Sequence, residues 1–244
     1  MTPTLTIAKR EFRSYFDSPL AYVVICLSFF GLGLFFFMYR GGFWQLDRAT
    51  MQPLFEFVPA GLAMLVIPVV TMRLMAEEKR SGTLEMLITL PVKDSDVVLG
   101  KFIGAFGLVL TIVTATLLYP VLMFKAPWNL GPLDMGPVWS GYLGLVLYAA
   151  AAVSVGLLIS SLTDSQAVAF FVTFFVLGAF WFSGNVADHL SGASANVLHY
   201  VSFQSRMSGF MRGLIDSRDV VFFLSITILA LVVAFRALER RKWA

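Results

Sequence analysis

The chain has 244 residues, a formal net charge of +3 at pH 7 and a mean hydropathy of +0.81. It is 58% hydrophobic and 14% charged, whereas a soluble domain is about a quarter charged. That balance excludes a water-soluble globular domain and makes lipid the solvent for most of the chain. The pI near 9.1 needs no nucleic acid to explain it, because basic residues beside apolar spans set membrane orientation.

Residues 4–16 come first. Leu5, Ala8, Phe12 and the pair Tyr15/Phe16 recur at helical spacing, with Lys9, Arg10 and Arg13 on the other side. This predicts an amphipathic elbow helix, with Lys9, Arg10, Phe12 and Arg13 at lipid headgroup level. It serves either as a membrane-surface anchor or as a contact for a partner. Asp17, Ser18 and Pro19 end it. Six apolar runs follow, at 20–39, 57–72, 97–124, 138–162, 167–183 and 220–236. Each approaches the roughly 17–25 residues that cross a hydrocarbon core. The expected fold is an all-α integral membrane protein of six transmembrane helices, since backbone polar groups in lipid must be satisfied within the chain. Stretches such as GLGLFFFM show none of the in–out alternation of a barrel strand. The run 20–39 is too long for a signal-peptide core and lacks a small-residue cleavage site after it, so it reads as the first span. Its Cys26 is expected as a small apolar residue of the helix core. The loop 40–56 is short, and Pro59 and Pro68 are expected to kink the second span.

The stretch 73–101 is the one polar segment wedged between two long spans. It holds Arg73, Lys79, Arg80, Lys93 and Lys101 of the chain's 18 basic residues. Glu77, Glu78, Lys79 and Arg80 extend the second span, and Ser81, Gly82 and Thr83 interrupt it. Thr83 can cap a helix over 84–90, with Glu85 in its first turn favouring the helix dipole. Pro91 ends that helix, Asp94 or Ser95 can cap the third span, and Lys101 anchors it. This is a built surface, suited to docking a partner. The small-residue pairs Gly100/Gly104 and Ala152/Gly156 permit close helix approach, and internal packing is the expected use. Pro127, Trp128, Gly131, Pro132, Gly136 and Pro137 mark tight turns between spans 3 and 4. The short connection 163–166 makes spans 4 and 5 a hairpin. In 184–219, Leu198, Val201, Met207, Met211 and Leu214 keep helical spacing between Arg206, Arg212 and Arg218. That segment predicts short outer helices dipping into the membrane before the sixth span, or a surface amphipathic helix.

Placing the N-terminus inside puts Lys9, Arg10, Arg13, the five basic residues of 73–101, Arg236, Arg240, Arg241 and Lys242 on one side. Only Arg40, Arg48, Lys125, Arg206, Arg212 and Arg218 fall on the other. Both termini are therefore expected in the cytoplasm. No phosphate-binding glycine loop is present, so no ATP site of that kind is expected in this chain. His189 and His199 with Asp188 make a poor metal set, and neither a catalytic residue nor a metal site is assigned. The span centres hold almost no charge, which argues against ion-coupled transport. An intramembrane enzyme would need catalytic groups at depth.

The run Glu77-Glu78-Lys79-Arg80-Ser81-Gly82-Thr83-Leu84-Glu85, with Leu90-Pro91 and Val98-Leu99-Gly100-Lys101-Phe102 behind it, resembles the loop between spans 2 and 3 of ABC type-2 exporter permeases. So does 210–220, which leads into the sixth span. The combination most resembles the gliding-motility-associated branch, with permeases of copper and nitrous-oxide-enzyme maturation as more distant look-alikes. The resemblance implies one permease domain over 1–244 in the cytoplasmic (inner) membrane. Within it, 1–19 would be the interface helix, 73–101 the coupling loop and 184–219 the outer re-entrant segment. It implies two separate ATPase subunits, which carry ATP and magnesium, and a second permease that is either a copy or a relative. Envelope or auxiliary proteins are further partners; nucleic acid is not. Glu77, Glu78, Lys79, Arg80, Ser81, Gly82, Thr83 and Glu85 would contact the ATPase. The expected function is export driven by ATP hydrolysed in trans. The alternative is mechanotransmission to envelope proteins without transport. Substrate-binding residues are not assigned.

Overall fold

Long apolar runs between polar breaks have one low-energy solution in lipid, the helix, and the computed structural model follows it. It describes residues 3–38, 51–82, 93–124 and 134–240, and every regular element among them is helical. The elements are α1 (Pro3–Phe16), α2 (Pro19–Met38), α3 (Gln52–Arg80), α4 (Asp94–Ala115), α5 (Leu118–Phe124), α6 (Met135–Leu162), α7 (Gln166–Ala187), α8 (Ala193–Val201), α9 (Phe203–Met211) and α10 (Ser217–Arg240). Five stretches among the described residues are long and apolar enough to cross a membrane: Gln52–Arg80, Asp94–Leu122, Met135–Leu162, Gln166–Ala187 and Ser217–Glu239. A shorter apolar helix, Tyr22–Leu34, lies within α2, where the sequence places the first span. The expected loop helix 84–90 with Thr83 and Glu85, the turns around Trp128 and most of loop 40–56 fall outside the described residues. Gly136 and Pro137, expected in those turns, instead form the first turn of α6, because Asp134 caps it by accepting the Gly136 amide at 3.0 Å.

Helix α3 is not uniform. It is α-helical over Gln52–Gly61, widens to a π-turn over Leu62–Val66, and resumes over Ile67–Thr71. Pro59 and Pro68 flank that irregularity. A proline inside a helix lacks an N–H and crowds the carbonyl four residues back, so the hydrogen-bond ladder must reset nearby. A second break, the turn at 72–75, precedes a final helical turn over Ala76–Arg80. The third expected span also divides. Helix α4 stops before Thr116, whose hydroxyl donates to the Val113 carbonyl at 2.6 Å and lies 3.2 Å from the Tyr142 hydroxyl. Neither Asp94 nor Ser95 caps α4. The N-cap is Lys93, without a side-chain bond, and Asp94 and Asp96 occupy the first turn, where acids complement the helix dipole.

Helix α6 is the axis of the core, packed against α3, α4, α7, α9 and α10. Its small residues make this possible. A methyl group on Gly141 would overlap the Phe55 ring, one on Gly144 would stand 2.8 Å from Phe210, and one on Gly156 would overlap Thr71. Tyr148, fully buried, donates its hydroxyl to the Pro59 carbonyl at 2.9 Å. Its ring meets Trp181 of α7, Phe203 of α9 and Phe223 of α10 edge-on at 5.7, 5.6 and 6.3 Å. One side chain thus ties α3, α6, α7, α9 and α10 together.

The segment before α10 forms two short helices. Phe203, Met207 and Phe210 of α9 are fully buried, and the Ser140 hydroxyl donates to the Phe210 carbonyl at 2.7 Å. Helix α8 lies over the end of α7 and buries only Ala195. Arg206 pairs with Asp219 at 2.9 Å and stacks over Tyr200 and Phe222, which joins α9 to the start of α10. Outward faces are strongly apolar, including Tyr22, Val23 and Phe30 on α2, Phe171 and Phe175 on α7, and Ile228 and Leu229 on α10. Contiguous apolar exposure on this scale fits lipid or a protein partner, not water. Cys26 lies on such a face and is exposed, contrary to its expected place in the helix core. A helix apolar all round gives the sequence no way to tell its inner side.

Candidate functional site

The chain's polar chemistry collects at one end of the bundle, where α1, the end of α3, the start of α4 and the α6–α7 turn meet. Helix α1 is amphipathic as expected, but its inner stripe differs. Ala8 and Tyr15 are buried and Ile7, Phe12 and Phe16 are half-buried, while Leu5 is exposed. Its inner face lies on α4. A Cβ on Gly100 would stand 2.7 Å from the Ile7 side chain, one on Gly104 would stand 2.7 Å from Glu11 Cβ, and one on Gly107 would stand 3.2 Å from the Phe12 ring. The Gly100/Gly104 pair therefore serves internal packing, and its partner is α1. Lys9, Arg10 and Arg13 face outward.

Beneath this contact lies a buried ion network. The Lys101 side chain is 1% exposed, and its Nζ reaches Glu78 Oε1 at 2.7 Å and Glu11 Oε1 at 3.1 Å. Arg10 adds contacts of 3.2 Å to Glu11 and 3.6 Å to Glu78. Buried charges persist where they are paired, and here the pairing joins three helices. Thr4 Oγ1 also donates to Asp96 Oδ1 at 2.7 Å, and the Tyr15 hydroxyl donates to the Val70 carbonyl at 3.0 Å. Burial, helped by the nearby Glu11 carboxylate, pushes the Tyr15 phenol far above its usual range. It stays a neutral donor at any ordinary pH.

The sequence-assigned coupling residues divide by direction. Glu77 is half-exposed and pairs with Arg73 at 2.8 Å. Glu78 turns inward to Lys101. Lys79 also turns inward, donating to the Ser161 carbonyl and lying 3.7 Å from Asp164 Oδ1. The Ser160 hydroxyl accepts the Met75 and Ala76 amides at 3.1 and 3.2 Å, so the end of α3 is tied to α6 as well as to α4. Arg80, Ser81 and Gly82 are exposed. Gly82 has φ +71°, a left-handed conformation that only glycine adopts without cost, and it ends the helical run of α3. Thr83 and Glu85 lie outside the described residues. A polar cavity of about 420 Å³ opens between α1 and α3, lined among others by Arg10, Glu11, Arg73, Glu77 and Lys101. At the opposite end Asp188, His199 and Ser205 come together, with His199 3.3 Å from Asp188 and 3.4 Å from Ser205. No group of three metal-capable side chains occurs among the described residues.

The ABC-2 family transporter protein profile matches residues 49–236. The chain belongs to the ABC-2 transporter family. Similarity to individual members is weaker. The chain is 30% identical over 134 residues to the "Probable multidrug ABC transporter permease YbhR" of Escherichia coli K12, and equally to its counterpart in strain O157:H7. That match covers 53% of this chain and 35% of the relative's length, so the chain spans about a third of these relatives. The matched ABC-2 region takes in α3 to α10 and its axis α6. It leaves out α1, the helix that closes the ion network over Lys101.

The sequence assigns Glu11 no role, and from it Lys101 is expected only as an anchor. The signal available was that Glu11 is the sole acid on α1 and that Lys101 is the sole cation on α4. Nothing local could pair them across 90 residues.

Proposed function

We propose that this chain is the membrane subunit of an ABC exporter, worked by ATP hydrolysed on a separate ATPase. In this reading α2 is the first of six spans. The end bearing α1 and residues 73–82 faces the cytoplasm, as do both termini, and α8 and α9 are the outer re-entrant pair. Two such permeases and two ATPase subunits form the transporter, with ATP and magnesium held by the ATPases. The observation that carries the reading is the contrast at the end of α3. Glu77, Arg80, Ser81 and Gly82 are presented outward, while Glu78 and Lys79 brace them from behind through Lys101 and Ser161. A presented surface on a braced mount suits a contact that must transmit force. The basic face of Lys9, Arg10 and Arg13 adjoins it, and Phe12 holds that helix down.

The relative's name, a probable multidrug permease, supports drugs as the class of cargo. The gliding-motility-associated branch is a narrower assignment, supported only by the combined sequence motifs of 77–102 and 210–220. The test is co-purification from the native membrane followed by ATPase assay and efflux from vesicles. An ATPase should co-purify. Gly82→Pro, or Glu77→Lys with Arg80→Glu, should lower complex recovery or stimulated hydrolysis without impairing membrane insertion. Normal assembly and turnover in both variants refutes the docking surface. Stimulated hydrolysis without efflux of any cargo favours mechanotransmission over export.

A further inference from the structure

A cleft of about 300 Å³ separates α2 from the π-turn of α3, within the roughly 300–1,000 Å³ range of small-molecule sites. No ionisable side chain lines it among the described residues. Its one hydroxyl, on Ser28, already donates to the Val24 carbonyl at 2.6 Å. A charge brought here would lose its hydration without compensation. The space is kept open by two glycines. A Cβ on Gly31 would meet nothing within 4 Å, and one on Gly61 would meet only Leu32 Cδ2 at 3.9 Å. This separates them from Gly100, Gly104 and Gly156, which are small because another chain segment presses on them.

The two walls differ in rigidity. The α3 wall runs from Phe57 through the π-turn to Val66, and π-turns inside α-helices recur at functional sites. Tyr148 holds that wall to the core through the Pro59 carbonyl. The α2 wall packs chiefly on α1 and α3, with Leu27 and Phe30 facing outward. Met64, on the π-turn, lines the cleft, and its Cε would stand 3.0 Å from a Cβ on Gly178 of α7. A flexible thioether at the boundary can adapt to an occupant and relay its presence to α7.

We propose that the cleft between α2 and the π-turn of α3 is a binding site for an uncharged, apolar small molecule that enters from the membrane past Leu27. The site stands whether or not the ATPase-docking reading holds, since its test needs only the purified chain in lipid. The probe is an uncharged hydrocarbon bearing a diazirine, photoreacted with the protein in nanodiscs and mapped by mass spectrometry. Labelling should saturate and concentrate on 27–32 and 57–66. Excess unlabelled hydrocarbon should suppress it, and the same hydrocarbon carrying a quaternary ammonium should not. Gly31→Leu fills the cleft and should cut labelling there about tenfold or more, in line with the 10- to 200-fold typical of one misfitted group in an apolar pocket. Gly31→Ala guards against misfolding of the larger variant. Its methyl has open space and favours the helix, and it should still reduce labelling several-fold. Non-saturable labelling spread equally over outward residues such as Ile228 and Leu229 of α10 would mean exchanging bilayer hydrocarbon only. That result overturns the site, as does unchanged labelling in both Gly31 variants.

Discussion

Replacing Lys101 by methionine keeps the length of the side chain and deletes its charge. Glu11 and Glu78 would then face each other without the cation that holds both at 3.1 and 2.7 Å. Removing one partner of a buried pair costs about 3–5 kcal/mol, most of it from the charge left behind. Arg10 stays near both carboxylates, but its side chain is 59% exposed, and an exposed ion pair returns at most about 1 kcal/mol. The net loss is therefore about 2–4 kcal/mol. It falls on the contact of α1 with α4, because Lys101 holds α1 through the Glu11 carboxylate. At 1.4 kcal/mol per tenfold change, local opening of α1 becomes roughly 30- to 700-fold more frequent. Hydrogen–deuterium exchange of the α1 amides in nanodiscs reads this directly. The triple variant Lys101→Met, Glu11→Gln, Glu78→Gln removes the charges together and should bring exchange back to within about tenfold of the parent, since uncharged replacements of a whole buried network cost little. Unchanged α1 exchange in the single variant would refute the reasoning, as would a triple variant that exchanges faster than the single one.

Three further outcomes are expected. Gly104→Val drives a branched side chain into Glu11 Cβ and the Ala8 carbonyl, so it should cost about 1–3 kcal/mol and expose α1 to limited proteolysis; a wild-type digestion pattern sinks the close-approach argument. Tyr148→Phe removes the donor to the Pro59 carbonyl and should cost about 0.5–1.5 kcal/mol, read as a lower thermal midpoint in detergent, while Tyr148→Ala also loses the aromatic cluster and should cost more, about 3–5 kcal/mol; equal midpoints for the two would contradict the shared role of ring and hydroxyl. Ser81→Cys in a Cys26→Ala background should resist an impermeant thiol reagent applied to intact cells and react once the membrane is opened, because basic residues gather at that end; strong labelling from outside reverses the proposed orientation.

The spans were legible because bilayer thickness sets a length that an apolar run either reaches or does not, and α6, α7 and α10 begin and end within about four residues of expectation. The inward face was not. The burial of Ala8 and Tyr15 could be read from helical period, but Leu5 and Ile7 are equivalent in sequence, and only the position of α4 decides that Ile7 packs. Gly100 and Gly104 announced a close approach without naming the helix that approaches. The π-turn at Leu62–Val66 followed from Pro59 and Pro68 only as an unspecified irregularity. In the 73–101 stretch, charge and turn chemistry located the surface, but Glu78 and Lys79 look as solvated in sequence as Glu77 and Arg80. Their inward turn depends on Lys101 and Ser161, which arrive from other helices.

A helix end pinned at one point can swivel about it, whereas an end pinned on two flanks behaves as a clamped beam. The last turn of α3 is clamped: Ser160 and Ser161 hold it on the α6 side and Lys101 on the α4 side. A push at Gly82 is then not absorbed by bending a single helix. It is divided between α4 and α6, and through Glu11 it carries α1 along. The stiffness of that mount resides in residues before position 82 and in their supports.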